Sequence, residues 1–296
     1  MIKIDTHHHF WNFDPRQYAW ISEKMTPLRR DFGPGELQEA LDAGGISAAI
    51  SVQARQTVEE TQWLLDFAQR YRAKGLGGEK RKPANQEPAC LAGVVGWVPL
   101  LSDRVDDVLE PLHQNELLRG VRHVVHDEPD DRFLLREDFN RGIDRLQGYG
   151  LAYDILIFGK HLPVTIEFVD RHPNQTFILD HIAKPTIKAG SFDTRWAEGI
   201  RELAKRNHVW CKFSGVVTEV RDESWDIETI RPYWETSLEA FSAERLMFGS
   251  DWPVCLLRSS YQRWCETVDE LASELSSEEQ LKFWSSNAMQ AYGLVL

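Results

Sequence analysis

The chain repeats one unit along its whole length: a short apolar, β-branched run followed by a longer amphipathic stretch. Runs at residues 2–4, 46–52, 91–98, 120–125, 151–158, 176–180, 209–213 and 246–249 read as strands. Residues 36–43, 58–71, 105–112, 139–147, 162–172, 196–206 and 227–241 carry apolar positions at helical spacing, and 261–275 and 277–292 add two C-terminal helices. Residues 75–88, rich in Gly, Lys, Arg and Pro, read as an exposed loop, because the alternation resumes directly after them. Eight strand–helix units in 296 residues imply an α/β fold with parallel strands and right-handed crossovers. A single-domain (β/α)8 TIM barrel over residues 1–296 and a doubly wound open sheet share this local signature.

The polar residues separate the two architectures. The first strand ends at His7, His8 and His9, the second at Gln53, the third at Trp97, and the fourth carries Arg122 and His123. The fifth carries Asp154 inside Leu-Ala-Tyr-Asp-Ile-Leu-Ile. The sixth ends Asp180-His181 with Lys184 just beyond, and the eighth ends Ser250-Asp251-Trp252. An ionisable side chain in a strand is costly to bury without partners. Reactive residues at so many equivalent strand ends are explained if they converge on one pocket. A closed barrel provides that convergence at the C-terminal ends of its strands.

Strand alternation places His7 and His9 on one side and His8 on the other. Two imidazoles on one face chelate a divalent metal or bind an oxyanion; the competing reading is a chance cluster. Asp251, delivered by Phe-Gly-Ser-Asp-Trp-Pro, is a candidate general base and metal ligand, with a turn or helix-cap aspartate as the alternative. His181 can polarise a carbonyl or orient water, and Lys184 can hold a sugar hydroxyl or simply face solvent. Alternation lets only one of Arg122 and His123 face the barrel mouth. Arg122 is preferred, with His123 as a core histidine. The expected catalytic set is therefore Asp251, His181, His7 and His9. The substrate-binding set is Arg122, His123, Lys184, Asp154, Gln53, Trp97 and Trp252, and a metal would sit on His7, His9 and Asp251. Trp11, Trp97 and Trp252 are candidates to pack on a sugar ring.

A net charge of −12 repels nucleic acid and anionic membranes at long range, and no stretch approaches the ~20 apolar residues of a membrane span. The four cysteines form no CxxC pair, and no basic region followed by an apolar run opens the chain, so a reduced, cytoplasmic setting is expected. The expected partner is a small molecule; a homo-oligomer is compatible with the sequence but not specified by it.

Asp-Thr-His-His-His-Phe-Trp, Asp-His-Ile-Ala-Lys-Pro and Phe-Gly-Ser-Asp-Trp-Pro, in that order, resemble the amidohydrolase superfamily and its "amidohydrolase 2" branch. That branch holds sugar lactonases such as L-fuconolactonase and L-rhamnonolactonase, pyrone-dicarboxylate lactonase and some decarboxylases. The resemblance implies site positions for His7, His9, His181 and Asp251, and hydrolysis of a sugar lactone. Metal-dependent relatives commonly place a histidine at the end of strand five, where this chain has Asp154. A zinc requirement therefore stays open. The alternatives are a metal-dependent decarboxylase on the same fold and a barrel that binds a sugar or sugar acid without turnover.

Overall fold

The computed structural model describes residues 1–72 and 90–295; the loop expected at residues 75–88 lies outside the described residues. Eight parallel strands follow each other in one sheet in chain order: β1 (Ile4–His8), β2 (Ala48–Val52), β3 (Cys90–Gly96), β4 (Leu118–Val124), β5 (Ala152–Leu156), β6 (Phe177–Leu179), β7 (Val209–Phe213) and β8 (Leu246–Phe248). The helices are α1 (Pro34–Gly44), α2 (Val58–Arg72), α3 (Asp106–His113), α4 (Glu137–Gly148), α5 (Leu162–Arg171), α6 (Thr194–Leu203), α7 (Ile227–Arg245), α8 (Tyr261–Ala272), α9 (Ser277–Leu281) and α10 (Asn287–Tyr292). Each strand from β1 to β7 is followed by at least one helix before the next strand begins, which is why every pair is parallel.

The ends of the sheet meet at the top. The Asp251 N–H donates to the His7 carbonyl at 2.8 Å and the His9 N–H to the Trp252 carbonyl at 2.7 Å. The Asp5 carboxylate accepts from the backbone N–H groups of His7 (3.1 Å) and Ser250 (2.8 Å) and from the Tyr261 hydroxyl (3.0 Å). Burial pushes the Asp5 carboxyl up to about 6 against these hydrogen bonds. Closure thus depends on a buried acid that ties β1 to the segment after β8.

Two apolar layers follow from strand alternation. Ile4, Ala48, Ile50, Ala152, Ile178, Trp210 and Met247 fill the barrel interior, where Ala288, Tyr292 and Leu294 from the C-terminal segment join them. Ala49, Val94, Val121, Tyr153, Ile155, Leu179, Cys211 and Phe213 face the helices. Among the described residues no helix is long and apolar enough to cross a membrane.

β1 departs from simple alternation. Its partners in β2 run Ile4 to Ala48, Asp5 to Ala49, then His8 to Ser51, so β1 carries one residue more than β2 between Asp5 and His8. This bulge resets the side-chain pattern. Ile4 and His7 both turn inward, although an unbroken strand would oppose them, and His8 turns outward to Ser51 Oγ at 3.0 Å.

Candidate active site

A cavity of about 550 Å3 opens above the C-terminal ends of the strands. Asp251 stands at its base with imidazoles around it. His9 Nε2 lies 3.3 Å, His7 Nε2 3.8 Å and His181 Nε2 3.9 Å from Asp251 Oδ1. The ring centroids of His7 and His9 are 4.9 Å apart, and those of His7 and His181 4.4 Å. The expected quartet is brought together, on three different loops or strands.

Each imidazole is oriented through its other nitrogen. His9 Nδ1 lies 2.8 Å from the Val52 carbonyl, an oxygen that can only accept. His7 Nδ1 is 3.3 Å from Asp180 Oδ1, and His181 Nδ1 is 2.8 Å from Ser214 Oγ. In His9 and His7 the proton therefore sits on Nδ1 and the Nε2 lone pair faces the site. Arg122 Nη1 reaches His7 Nε2 at 3.2 Å and Asp180 Oδ2 at 3.0 Å, while its Nη2 donates to the Gln53 carbonyl at 2.5 Å.

Backbone geometry sets the rim. His181, Ile182, Ala183 and Lys184 have φ of 53°, 47°, 61° and 49°, a left-handed turn built without glycine, and Asp251 has φ of 58°. Such conformations cost roughly 1–3 kcal/mol each and persist where surrounding structure enforces them. Here the Trp196 indole N–H donates to the Ile182 carbonyl at 2.5 Å and holds the turn. Gly215, at φ 62°, leaves the space His181 needs, since a Cβ there would lie 2.6 Å from His181 Nδ1.

Burial pushes the Asp251 carboxyl up, but the imidazoles of His181, His9 and His7 outweigh it and hold it well below the usual carboxylate range. Burial also lowers His181 to about 4, against Asp251 and Asp180, and carries His7 well below its ordinary value. At neutral pH the site thus pairs an ionised Asp251 with His7 and His181 rings that burial keeps uncharged.

Of the other expected residues, Gln53, Arg122 and Lys184 line the cavity, and five do not. His123 points out of the barrel and stacks on Phe133 at 4.9 Å and 12°, because β4 alternation gives the inward place to Arg122. Trp97 lies past the end of β3, its N–H held by Thr61 Oγ1 at 2.7 Å, and its indole donates to His123 Nδ1 at 3.3 Å. Trp252 packs on Phe32, centroids 5.3 Å apart, and Trp11 donates to the Leu28 and Arg30 carbonyls; both are core. Asp154 faces inward but lies below the cavity, 2.6 Å from Lys212 Nζ.

Sequence reasoning missed Trp20, Arg16, Arg55 and His126, which complete the cavity wall. Trp20 and Arg16 sit in an irregular segment with no periodicity to read. Lys212, fully buried on β7, was also missed, although a lysine inside Val-Trp-Cys-Lys-Phe is the same signal that marked Asp154.

The donor set fits a divalent metal. His7, His9 and Asp251 offer ligand atoms within 4.8 Å of one another, and so do His7, Asp180 and His181. The His9 geometry adds a physical reason. An Nε2 lone pair facing a carboxylate oxygen at 3.3 Å is repulsive unless a cation or proton lies between them.

A sequence profile described as Amidohydrolase matches residues 4–294. The chain is 37% identical to an L-fucono-1,5-lactonase of Burkholderia multivorans, the alignment covering 99% of this chain and 96% of that one. It is 33% identical to an L-fucono-1,5-lactonase of Burkholderia ambifaria, covering 98% and 95%. A crystal structure of an amidohydrolase from Burkholderia multivorans with bound zinc superposes with a TM-score of 0.90 at 36% identity, over 100% of both chains. With its barrel, its histidine pair at the end of β1 and its aspartate after β8, the chain belongs to the amidohydrolase family.

Proposed function

We propose that this protein hydrolyses a sugar lactone to the corresponding aldonic acid, with L-fucono-1,5-lactone as the first substrate to test. The observation that carries the proposal is the ionised Asp251 standing among three imidazoles at the base of a cavity of about 550 Å3. The full-length relatives named L-fucono-1,5-lactonase support the choice of substrate.

The lactone enters with its carbonyl toward the base of the cavity. Arg122, together with the Nε2–H of a neutral His181 whose Nδ1 accepts from the Ser214 hydroxyl, stabilises the charge that develops on the carbonyl oxygen. Asp251 takes a proton from water as the water oxygen bonds to the carbonyl carbon. The tetrahedral intermediate collapses, the bond from that carbon to the ring oxygen breaks, and Asp251 returns the proton to the departing alkoxide. The acid formed then ionises and releases a proton to solvent. Gln53, Lys184 and Trp20 hold the sugar, and the buried, unpartnered Gln53 Oε1 suits a hydroxyl donor. A zinc ion would be held by His7, His9 and Asp251, with His181 beside them, and would supply Lewis-acid polarisation.

A pH-indicator assay over a panel of aldonolactones, with and without chelator, tests the proposal. Acid release from L-fucono-1,5-lactone, or from a close stereoisomer, is expected. Absence of acid release across the panel, with CO2 released from an aromatic or sugar acid instead, would favour a decarboxylase. Ligand-induced thermal stabilisation without product would favour a binding protein.

A further inference from the structure

A chain of charged groups runs under the active site, from the barrel bottom to His7. Lys212 is 0% exposed, on the inward face of β7. Its Nζ lies 2.6 Å from Asp154 Oδ2, 2.9 Å from Asp180 Oδ1 and 3.3 Å from His7 Nδ1. From below, the Tyr292 hydroxyl of α10 donates to the same Asp154 oxygen at 2.7 Å. From above, Arg122 bonds Asp180 Oδ2 and faces His7 Nε2. Two carboxylates and two cations alternate, so the row is neutral as a whole. A lysine buried this deeply costs more than a well-packed apolar residue of its volume unless its geometry serves something else.

We infer that Lys212 is a positioning residue: it fixes Asp180, and through Asp180 the orientation of the His7 ring, from beneath the cavity. This rests on the hydrolytic reading of the site. Neither Lys212 nor His7 lines the cavity, so Lys212 acts on the chemistry only through Asp180 and the two groups Asp180 holds, His7 and the cavity-lining Arg122. Asp180 alone has two cations and an imidazole competing for its two oxygens. With Nζ holding Oδ1 on one side and Arg122 holding Oδ2 on the other, the carboxylate plane is set, and with it the acceptor for His7 Nδ1. Asp154 and Tyr292 fix the ammonium in turn, which links the C-terminal helix to the catalytic face across the barrel.

The test compares wild type, Lys212→Met, Lys212→Met with Asp154→Asn, and Tyr292→Phe. The double variant removes one charge of each sign, so it avoids leaving two buried carboxylates facing each other. Circular dichroism and thermal unfolding establish folding; kcat and KM are then measured on the lactone that wild type hydrolyses. The expected result is a folded double variant with KM within a few-fold of wild type and kcat lower on the order of 100-fold. Tyr292→Phe, which drops one hydrogen bond and keeps the ion pairs, is expected to lose kcat by a few-fold with KM unchanged. A folded double variant with wild-type kcat overturns the inference, whether or not its melting temperature falls. A raised KM at unchanged kcat overturns it too, since that marks a binding role. If neither Lys212 variant folds, Tyr292→Phe decides: unchanged kcat rejects positioning through this row. Failure of wild type to hydrolyse any lactone would reject the hydrolytic reading instead, a result distinct from all of these.

Discussion

His9 faces two oxygens at once: its Nδ1 is 2.8 Å from the Val52 carbonyl and its Nε2 is 3.3 Å from Asp251 Oδ1. Only one of the two contacts can be satisfied by a neutral imidazole. A zinc ion held by His9 and Asp251 would remove the conflict. Chelated protein is therefore expected to take up zinc in calorimetric titration, and His9→Ala to lose most of that affinity. Equal zinc uptake by His9→Ala would show that the ion, if bound, does not use this nitrogen.

Gly215 tests how closely His181 must be placed. An added Cβ meets His181 Nδ1 at 2.6 Å and sits on a residue with φ of 62°. Gly215→Ala is expected to destabilise the protein by about 1–2 kcal/mol, from the left-handed backbone alone. It should also lower kcat on the order of 100-fold by moving the imidazole. Urea unfolding and steady-state rates measure the two separately; normal kcat in the folded variant would mean His181 tolerates displacement.

His8 takes no part in the cavity and reports on acid stability. Burial lowers its pKa to about 3, so it is neutral when folded and titrates near its ordinary value of 6.5 when unfolded. Between those values the unfolded chain binds the extra proton. The stability His8 permits is full above 6.5 and is lost as the pH falls toward 3, by at most about 1.4 kcal/mol per pH unit. Buried His181 and His126, lowered to about 4 and about 2, act in the same direction. His8→Gln should flatten the fall in unfolding free energy between pH 7 and pH 5. An unchanged slope would show that His8 is not neutral in the folded protein.

Trp20 supplies the aromatic wall. Its indole N–H donates to the Ala54 carbonyl at 3.0 Å, which fixes the ring at the cavity edge. Trp20→Ala is expected to raise KM about tenfold with kcat changed little, since the ring contacts ground state and transition state alike. A loss of kcat at constant KM would assign Trp20 to the chemistry instead.

Strand order and the inward-facing acid, arginine and histidines were legible because periodicity and strand-end position are local properties. The pairing of His7 with His9 followed from simple alternation, but their side of the sheet depended on the β1 bulge, which nothing in Ile-Asp-Thr-His-His announces. Trp97 and Trp252 were misplaced because aromatic residues near strand ends serve the core as readily as a ligand. His123 and Arg122 are adjacent, so alternation sends one inward and the other outward; the structure gives the inward place to the preferred Arg122 and stacks His123 on Phe133 outside the barrel. The left-handed turn from His181 to Lys184 has no sequence mark, since glycine is absent from it. Tertiary contacts impose it, the Trp196 indole among them.

The proposed reaction turns on Asp251 moving the proton as the lactone opens. The most direct measurement is kcat for Asp251→Asn beside wild type in the pH-indicator assay, on protein shown by circular dichroism to be folded. A loss on the order of 100-fold or more is expected, because asparagine keeps the shape and cannot accept the proton. A rate within a few-fold of wild type would contradict it.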